Sequence, residues 1–444
     1  MGLSALGEAT AVLRHAQRTA AHGTRWLTVH LPCLYFYRYV IVANGNGREY
    51  VPAEPPGLAL VESYATVPWD AESFEGQTVL VIGKGNAAFE VAGLTLGSAS
   101  IVQLISPNPL KLAWNTRHPG HARANNFHLL DAYQLKLLSG ILDAKLIKVE
   151  ACADNTELCH GRGGFAVTIQ YAHADGEVEV LRYDRVIRAT GFGHSTKLYH
   201  PDGSATPKMA DFTGDRYPLL TPAFEAVNVA GLFFAGTIAQ ARDFRRAGSA
   251  FVDGFRYNVR TLVRLLSERM QPLGRGAAYP RDAVPLVPTG EQSAPEHISE
   301  AFMARINRNS GLWTQFRFLA DVLITDAAGC PAGVAAGDYM QELPKDYILD
   351  VFAGHCGQIF VLDFEWGEFG DEDVMKIKRH PEAGRTDYKF LHPIIREYTS
   401  GTFPPKPVSA TGPTAQGSIS EHHVVGAKFL QRALGDLQRV WKLL

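Results

Sequence analysis

The chain has 444 residues, with 43 Lys plus Arg, 45 Asp plus Glu and a formal net charge of −2. A balance this close to zero gives no electrostatic basis for binding nucleic acid or an anionic membrane surface. Hydrophobic residues make up 46% of the chain and aromatic residues 10%, which is typical of a globular protein and excludes a wholly disordered or collagen-like chain.

The N-terminal region lacks the pattern of a secretory signal. Glu8, Arg14 and Arg18 interrupt the stretch that a signal would need to keep apolar. We expect a helix over 1–25. The next apolar stretch, 26–43, contains His, Pro and Arg, so it predicts strand rather than a membrane span.

A strand, a glycine turn, a helix and a second strand follow one another between residues 77 and 105. The runs 77–82 (QTVLVI) and 100–105 (SIVQLI) are continuous and apolar, as in buried strands, and 89–96 has helical spacing. The turn between the first strand and the helix is Gly83-Lys84-Gly85-Asn86-Ala87-Ala88. This order predicts a βαβ unit with a parallel sheet.

The turn at 83–88 matches the G-x-G-x-x-G dinucleotide fingerprint, with Ala in the third glycine position. Gly83 permits a tight turn, Gly85 lets backbone N–H groups approach a pyrophosphate, and Ala88 lets the helix pack closely on the sheet. We expect the phosphates at the helix N-terminus near Asn86. The alternative is a small-residue turn that binds no ligand.

The end of the second strand bears on which nicotinamide cofactor binds. An NAD site has Asp or Glu about 20 residues beyond the glycine turn, whereas an NADP site has a cation. The strand ends in Ser106-Pro107-Asn108, without an acid. Ser106, with Lys111 and Arg117 nearby in sequence, is predicted to bind the extra phosphate of NADPH. A solvated surface role for Lys111 and Arg117 remains open.

The rest of the chain mixes strands and helices. Residues 125–148 predict helix and short turns, 164–171 and 178–183 a hairpin, and 251–266 a helix. The segment 271–299 is rich in Pro and Gly and predicts a linker. Beyond it the pattern is mixed, with strand over 358–364.

Three further runs end in glycine turns, and with 83–88 they carry a family resemblance. They are Tyr39–Gly45 (YVIVANG), Asp184–Gly191 (DRVIRATG) and Gly231–Thr237 (GLFFAGT). Their order resembles that of flavin monooxygenases and thioredoxin reductases. The stretches 79–90, 112–138, 248–260 and 353–365 resemble the FAD-dependent oxidoreductase domain-containing proteins of the ER lumen.

The resemblance implies an α/β, two-dinucleotide-binding (Rossmann-like) flavoprotein fold with an incomplete N-terminal FAD half, plus a C-terminal α+β region. The family's N-terminal strand–GxGxxG–helix, which grips FAD, has no counterpart in 1–36. The expected order is an atypical segment (1–36), a remnant of the FAD domain (37–70), an NAD(P)-binding domain (71–195), a return to the FAD domain (196–270), a linker (271–299) and a C-terminal region (300–444).

The implied activity is hydride transfer from NADPH to FAD, with electrons passed on to an unidentified acceptor. A partner protein of ER-associated degradation is one candidate acceptor. The implied cofactor contacts beyond the first glycine turn are Thr190, Gly191, Gly236, Thr237, Arg246 and Ser249. Thr237 stands where the wider superfamily has Asp. The segment 242–248, entering a helix at 249–266, is expected to stabilise negative charge on the reduced flavin.

Several alternatives stay open. A flavin-dependent monooxygenase would have F-x-G-x-x-x-H before the second glycine turn, but residues 55–61 lack both the Phe and the His. An enzyme that reduces disulfides through its own dithiol would have a C-x-x-C motif, which this sequence lacks. Cys152 and Cys159 are expected to be isolated small hydrophobic residues. A truncated, flavin-free adaptor or inactive isoform is the non-enzymatic alternative.

Localisation and metal binding complete the sequence-based expectations. The ER lumen is expected from the resemblance, although the last four residues, Trp441–Leu444 (WKLL), are no KDEL-type tag. The His pairs 118/121 and 422/423 lack a third ligand at convincing spacing, so no metal site is predicted.

Overall fold

The computed structural model describes residues 9–12, 34–106, 127–152, 159, 163–199, 203, 205–274, 276–288, 294–366 and 391–400. The chain divides into two compact units. Residues Asn46–His194 form one, which we call the inserted unit. Residues Met1–Gly45 and Ser195–Leu444 belong to the other, which we call the flanking unit.

The strands of the inserted unit are β4 (Arg48–Glu49), β5 (Glu62–Ser63), β6 (Thr78–Ile82), β7 (Ile101–Ile105), β8 (Gly140–Leu142), β9 (Ala144–Ala151), β10 (Phe165–Tyr171), β11 (Val178–Tyr183), β12 (Arg185–Arg188) and β13 (Phe192–Gly193). Its helices are α1 (Asn86–Thr95) and α2 (Phe127–Gln134). The strands of the flanking unit are β1 (Ala9–Val12), β2 (Leu34–Tyr37), β3 (Val40–Val42), β14 (Leu232–Phe234), β15 (Arg281–Ala283), β16 (Leu319–Asp326), β17 (Asp338–Pro344), β18 (Gln358–Glu365) and β19 (His392–Thr399). Its helices are α3 (Val252–Met270), α4 (Ala294–Arg308), α5 (Ser310–Thr314) and α6 (Lys345–Ile348).

A five-stranded parallel sheet in the order β5-β12-β6-β7-β8 is the centre of the inserted unit. Helix α1 connects β6 to β7 and buries Ala88, Phe89 and Ala92 against the strand residues Val79 and Val81. The predicted βαβ unit is therefore confirmed, and with it the Rossmann-like α/β fold.

A three-stranded antiparallel sheet, β11-β10-β9, adjoins it in sequence. The predicted hairpin over 164–183 is confirmed as β10 and β11. The prediction for 125–148 is only partly right, because strands β8 and β9 follow α2. Ala144, Leu146 and Val149 are buried in β9, and ladder hydrogen bonds with β10 outweigh local helix propensity.

In the flanking unit, β3 and β14 pair in parallel. Strand β1 pairs with β2 in the antiparallel direction, so the helix predicted over 1–25 is wrong at Ala9–Val12. The rest of that predicted helix lies outside the described residues. Strand pairing with a segment over twenty positions away is a tertiary effect that local propensity does not contain.

The C-terminal part of the flanking unit is a five-stranded antiparallel sheet in the order β15-β17-β16-β18-β19. Within the segment predicted as a linker, Arg281–Ala283 pairs with β17 and α4 begins at Ala294. Thr261 of α3 donates its hydroxyl hydrogen to the Glu342 carbonyl of β17 at 2.7 Å, which ties that helix to the sheet. Within the described residues, no helix is both long and apolar enough to cross a bilayer.

Candidate functional site

The glycine turn after β6 lies at the carboxyl edge of the parallel sheet. The Gly83 amide donates to the carbonyl of Ile105, the last residue of β7, at 2.8 Å. On the other side, the Ala189 amide donates to the carbonyl of Ile82, the last residue of β6, at 2.8 Å. The turn is thus held between the ends of two neighbouring strands.

The two glycines of the turn have different surroundings. Gly83 has φ +136°, and a Cβ placed on it would lie 2.3 Å from the Ala189 carbonyl oxygen. Gly85 has φ −82°, and a Cβ placed on it would meet no atom within 4 Å. Gly83 is therefore required by the backbone conformation and the close approach of β12, whereas Gly85 faces open space.

Helix α1 begins directly at this open space. Gly85 is its N-cap, no side chain caps the helix, and no acidic residue stands in the first turn. The first amides of a helix have no partner within the helix, and the helix dipole makes its N-terminus favourable for anions. Gly85 and Asn86 are exposed, so the backbone at the start of α1, which we call the cradle, is accessible to an anion.

The cradle lies at the point of the sheet where the order of the strands along the chain reverses. From β6 the chain moves by way of α1 to β7 on one side, whereas β12 lies on the other side. In open α/β sheets, ligands bind outside the carboxyl ends of the strands at such a point. The structure brings together Gly83–Ala88, Ser106 at the end of β7, and Thr190-Gly191 after β12. Lys111 and Arg117 lie outside the described residues.

Thr190 and Gly191 are fixed by a neighbouring segment. The Thr190 hydroxyl donates to the Tyr50 carbonyl, and the Tyr50 amide donates to the Gly191 carbonyl at 2.8 Å. The single hydroxyl hydrogen of Thr190 therefore stays within the protein. This hydrogen bond helps to shape the end of β12, and the cofactor contact expected at Thr190 stays a prediction.

A second pair of glycine turns ends the parallel strands of the flanking unit. The Ala235 amide donates to the Val42 carbonyl at 3.0 Å, which joins the carboxyl ends of β14 and β3. Gly45 and Gly236 have φ values of +68° and +76°, and a Cβ on either would meet no atom within 4 Å. Backbone at this edge is therefore accessible to a ligand.

Thr237 and Ser249, predicted to contact a cofactor, form hydrogen bonds within the protein. The Thr237 hydroxyl donates to the Ala250 carbonyl at 3.2 Å. The Ser249 hydroxyl donates to Asp243 and accepts from Asn258 and Gln315, each at 3.0 Å. Both side chains therefore stabilise the loop between β14 and α3, and their expected contacts with a cofactor stay predictions.

Asp243 is the titratable group of this loop. It is 3% exposed, and its carboxylate also accepts from the Ala247 amide at 3.1 Å. Burial raises the pKa of Asp243 to about 7, against the lowering effect of its hydrogen bonds with Ser249 and Ala247. Sequence could not identify this network, because Asn258 and Gln315 come from α3 and from the residues after α5.

The arginines of the segment 242–248, which is predicted to face the flavin, lie in different environments. Arg242 forms an ion pair with Asp346. Arg246 is exposed and lowers the pKa of Asp243. Helix α3 begins at Val252 rather than at Ser249, because Phe251 already has an extended N-cap conformation.

Four of the five cysteines form two disulfides. Cys152 pairs with Cys159, with Cα atoms 5.8 Å apart, and Cys330 pairs with Cys356, with Cα atoms 4.3 Å apart. The expectation that Cys152 and Cys159 are isolated hydrophobes is therefore wrong. The sequence has five cysteines, from which two pairs can be drawn in fifteen ways, and their spacing does not select one. Within the described residues, no group of three or more His, Cys, Asp or Glu is placed to hold a metal ion.

Comparison with known proteins gives a matching family model and two curated relatives. Residues 34–236 match the model described as pyridine nucleotide-disulphide oxidoreductase. "FAD-dependent oxidoreductase domain-containing protein 2" of Mus musculus is 31% identical over 370 residues, which is 77% of this chain and 52% of that protein. Its namesake in Danio rerio is 29% identical over 406 residues, 82% of this chain and 55% of that protein.

The chain thus spans about half the length of the curated relatives it matches, at 52% and 55%. Among solved structures, the bacillithiol disulfide reductase of Staphylococcus aureus is 16% identical, with a TM-score of 0.34 over 46% of this chain and 56% of that one.

Proposed function

The chain belongs to the family of FAD-dependent oxidoreductase domain-containing proteins, and from that premise we propose that it is a flavin-dependent NAD(P)H oxidoreductase. The proposed donor is NADPH and the proposed resident cofactor is FAD. The nicotinamide and the flavin supply the hydride chemistry when bound, whereas the protein binds them, orients them and sets their electrostatic surroundings.

One observation carries the proposal. The open start of α1, which no side chain caps, lies at the point of the parallel sheet where the order of the strands along the chain reverses. The amides at Asn86 and Ala87 would bind the diphosphate, and the absence of a side chain at Gly85 lets it approach. Ser106 lies at the end of β7, where the adenosine ribose of a dinucleotide is recognised. Its hydroxyl can hydrogen-bond a phosphate and carries no charge to repel one, which supports NADPH.

The residues of the flanking unit fit a flavin in part. Gly45 and Gly236 present open backbone at the ends of β3 and β14. The hydrogen bonds that Ser249 makes with Asp243, Asn258 and Gln315 fix the loop that follows Gly236. Arg246, exposed on the same loop, supplies positive charge for an anionic group. These residues would hold and orient the flavin rather than react themselves.

The acceptor and the compartment form the remaining part of the proposal. Disulfides persist in oxidising compartments, so the pairs Cys152–Cys159 and Cys330–Cys356 support the ER lumen. In that compartment an abundant class of two-electron acceptor is the disulfide of another protein. We therefore propose such a disulfide, with a partner in ER-associated degradation as the candidate.

The test is to purify the full chain under oxidising conditions, record its visible absorbance and titrate it with NADPH and NADH. We expect flavin absorbance that NADPH bleaches in the absence of oxygen, and tighter binding of NADPH than of NADH. A chain that contains flavin but binds neither nucleotide would overturn the proposal that NADPH is the electron donor. A colourless chain that binds neither nucleotide would overturn the proposal in favour of a flavin-free adaptor.

A further inference from the structure

An acidic residue follows the strand that pairs with β7. Strands β7 and β8 are parallel, and Ile105 of β7 is the register partner of Leu142 of β8. Both are the last residues of their strands, and the residues that follow them are Ser106 and Asp143. Because neighbouring strands lie about 4.8 Å apart, Ser106 and Asp143 leave the sheet side by side at its carboxyl edge.

Asp143 has a fixed backbone and an accessible side chain. Its carbonyl accepts from the Ala172 amide at 2.9 Å, which ties the turn between β8 and β9 to the end of β10. Its side chain is 59% exposed, and its carboxylate lies 3.9 Å from Nδ1 of His173. That distance is longer than a hydrogen bond, so His173 leaves the carboxylate oxygens able to accept from a ligand.

The charge of Asp143 stands where the two nicotinamide nucleotides differ. In a dinucleotide-binding βαβ unit, the ribose of the adenosine half lies at the end of the second strand, which here is β7. The free 2′-hydroxyl of NADH can donate to a carboxylate. The 2′-phosphate of NADPH is negatively charged, and a carboxylate beside it repels it.

We infer that Asp143 is a specificity-determining residue of the nucleotide site, which favours the unmodified ribose and narrows the preference for NADPH that Ser106 supports. This rests on the proposed function in one respect, that the diphosphate binds at the cradle and the adenosine half extends toward β7. Asp143 follows a different strand from Ser106, and only the pairing of β7 with β8 brings the two together.

The experiment measures binding to the full chain by titration calorimetry. The probes are ADP-ribose and 2′-phospho-ADP-ribose, which differ only in the 2′-phosphate and lack the nicotinamide, so no hydride is transferred. The quantity compared is the ratio of the two affinities, in which any change in the folded fraction cancels. Asp143→Asn removes one negative charge with little change of shape, and Asp143→Lys reverses the charge.

We expect the ratio to shift toward 2′-phospho-ADP-ribose by about threefold in Asp143→Asn and by about tenfold in Asp143→Lys, as expected for exposed charges near a phosphate. High salt should reduce both shifts, because it screens the interaction of exposed charges. This graded, salt-dependent response distinguishes an electrostatic effect on the 2′-phosphate from a structural role of the turn.

Glu75→Gln is the matched control. It removes one negative charge from an exposed residue that precedes β6, at the opposite, amino edge of the same sheet. The five residues of β6 span about 17 Å, which exceeds the Debye length at physiological salt, so the ratio should stay within about twofold of wild type.

An unchanged ratio in both Asp143 variants, or an equal shift in Glu75→Gln, overturns the assignment of Asp143. A wild-type chain that binds neither probe overturns the proposed function instead, and the inference with it.

Discussion

The carbonyl oxygen of Ala189 lies 2.3 Å from the position that a Cβ on Gly83 would take. The glycine turn 83–88 and the run 184–191 are therefore in direct backbone contact at the end of the sheet. The two glycines of the G-x-G pattern therefore have different functions. Gly83 allows β6 and β12 to end side by side, and Gly85 leaves room for the ligand.

The first prediction compares these two glycines. Gly85→Val should abolish nucleotide binding without unfolding the protein, because its side chain enters space where no atom lies within 4 Å. Gly83→Ala should instead destabilise the protein by about 2 kcal/mol or more, because Ala at φ +136° is strained and its Cβ meets the Ala189 carbonyl. NADPH titration and urea unfolding measure the two effects.

The comparison is controlled by measuring both quantities on both variants. A Gly85→Val protein that unfolds like wild type and still binds NADPH would contradict the cradle. A Gly83→Ala protein of unchanged stability would contradict the close approach of β12. Reduced binding in Gly83→Ala is expected only in proportion to its unfolded fraction.

The glycine turn could be predicted because its evidence is local. A strand, a turn and a helix occupy consecutive residues, and each leaves a pattern in the sequence. The hydrogen bonds of Ser249 could not be predicted, for the opposite reason. Its partners Asp243, Asn258 and Gln315 span more than seventy positions, and only the tertiary fold brings them together. The cysteine pairs were missed because spacing alone does not fix connectivity.

The second prediction concerns Asp243 and pH. Its pKa is about 7 in the folded protein, against an ordinary value of 3.8, so the folded state binds the proton more tightly than the unfolded state. The contribution of Asp243 to stability is therefore greatest below about pH 4 and is lost as pH rises to about 7. The two values differ by enough to change the free energy of unfolding by about 4 kcal/mol.

Asp243→Asn isolates this contribution, because Asn cannot titrate. We expect the stability of the variant relative to wild type to rise between pH 4 and 7 and to level off above that range. His194 acts in the opposite direction, since burial lowers its pKa to about 4, but it is present in both proteins and cancels in the difference. Urea unfolding at several pH values gives the difference, and a flat profile would contradict the raised pKa.

The third prediction concerns Cys330–Cys356, which closes a loop between adjacent strands of the antiparallel sheet. Cys330 follows β16 and Cys356 precedes β18, with 26 positions between the two cysteines. Closing a loop of this size restricts the unfolded chain and stabilises the folded state by about 3.5 kcal/mol, whereas the separation of 7 at Cys152–Cys159 gives about 2.4 kcal/mol. Replacing both members of one pair by Ser should lower the free energy of unfolding by these amounts.

The two double variants act as controls for each other, since they lie in different units. Reducing agent should destabilise wild type, and it should destabilise each double variant less, because one crosslink is already absent. The serine replacements at 330 and 356 should leave NADPH affinity at the inserted unit unchanged, because neither residue belongs to the cradle. A large loss of affinity would show instead that this crosslink participates in the site, and an unchanged free energy of unfolding would show that it does not form in solution.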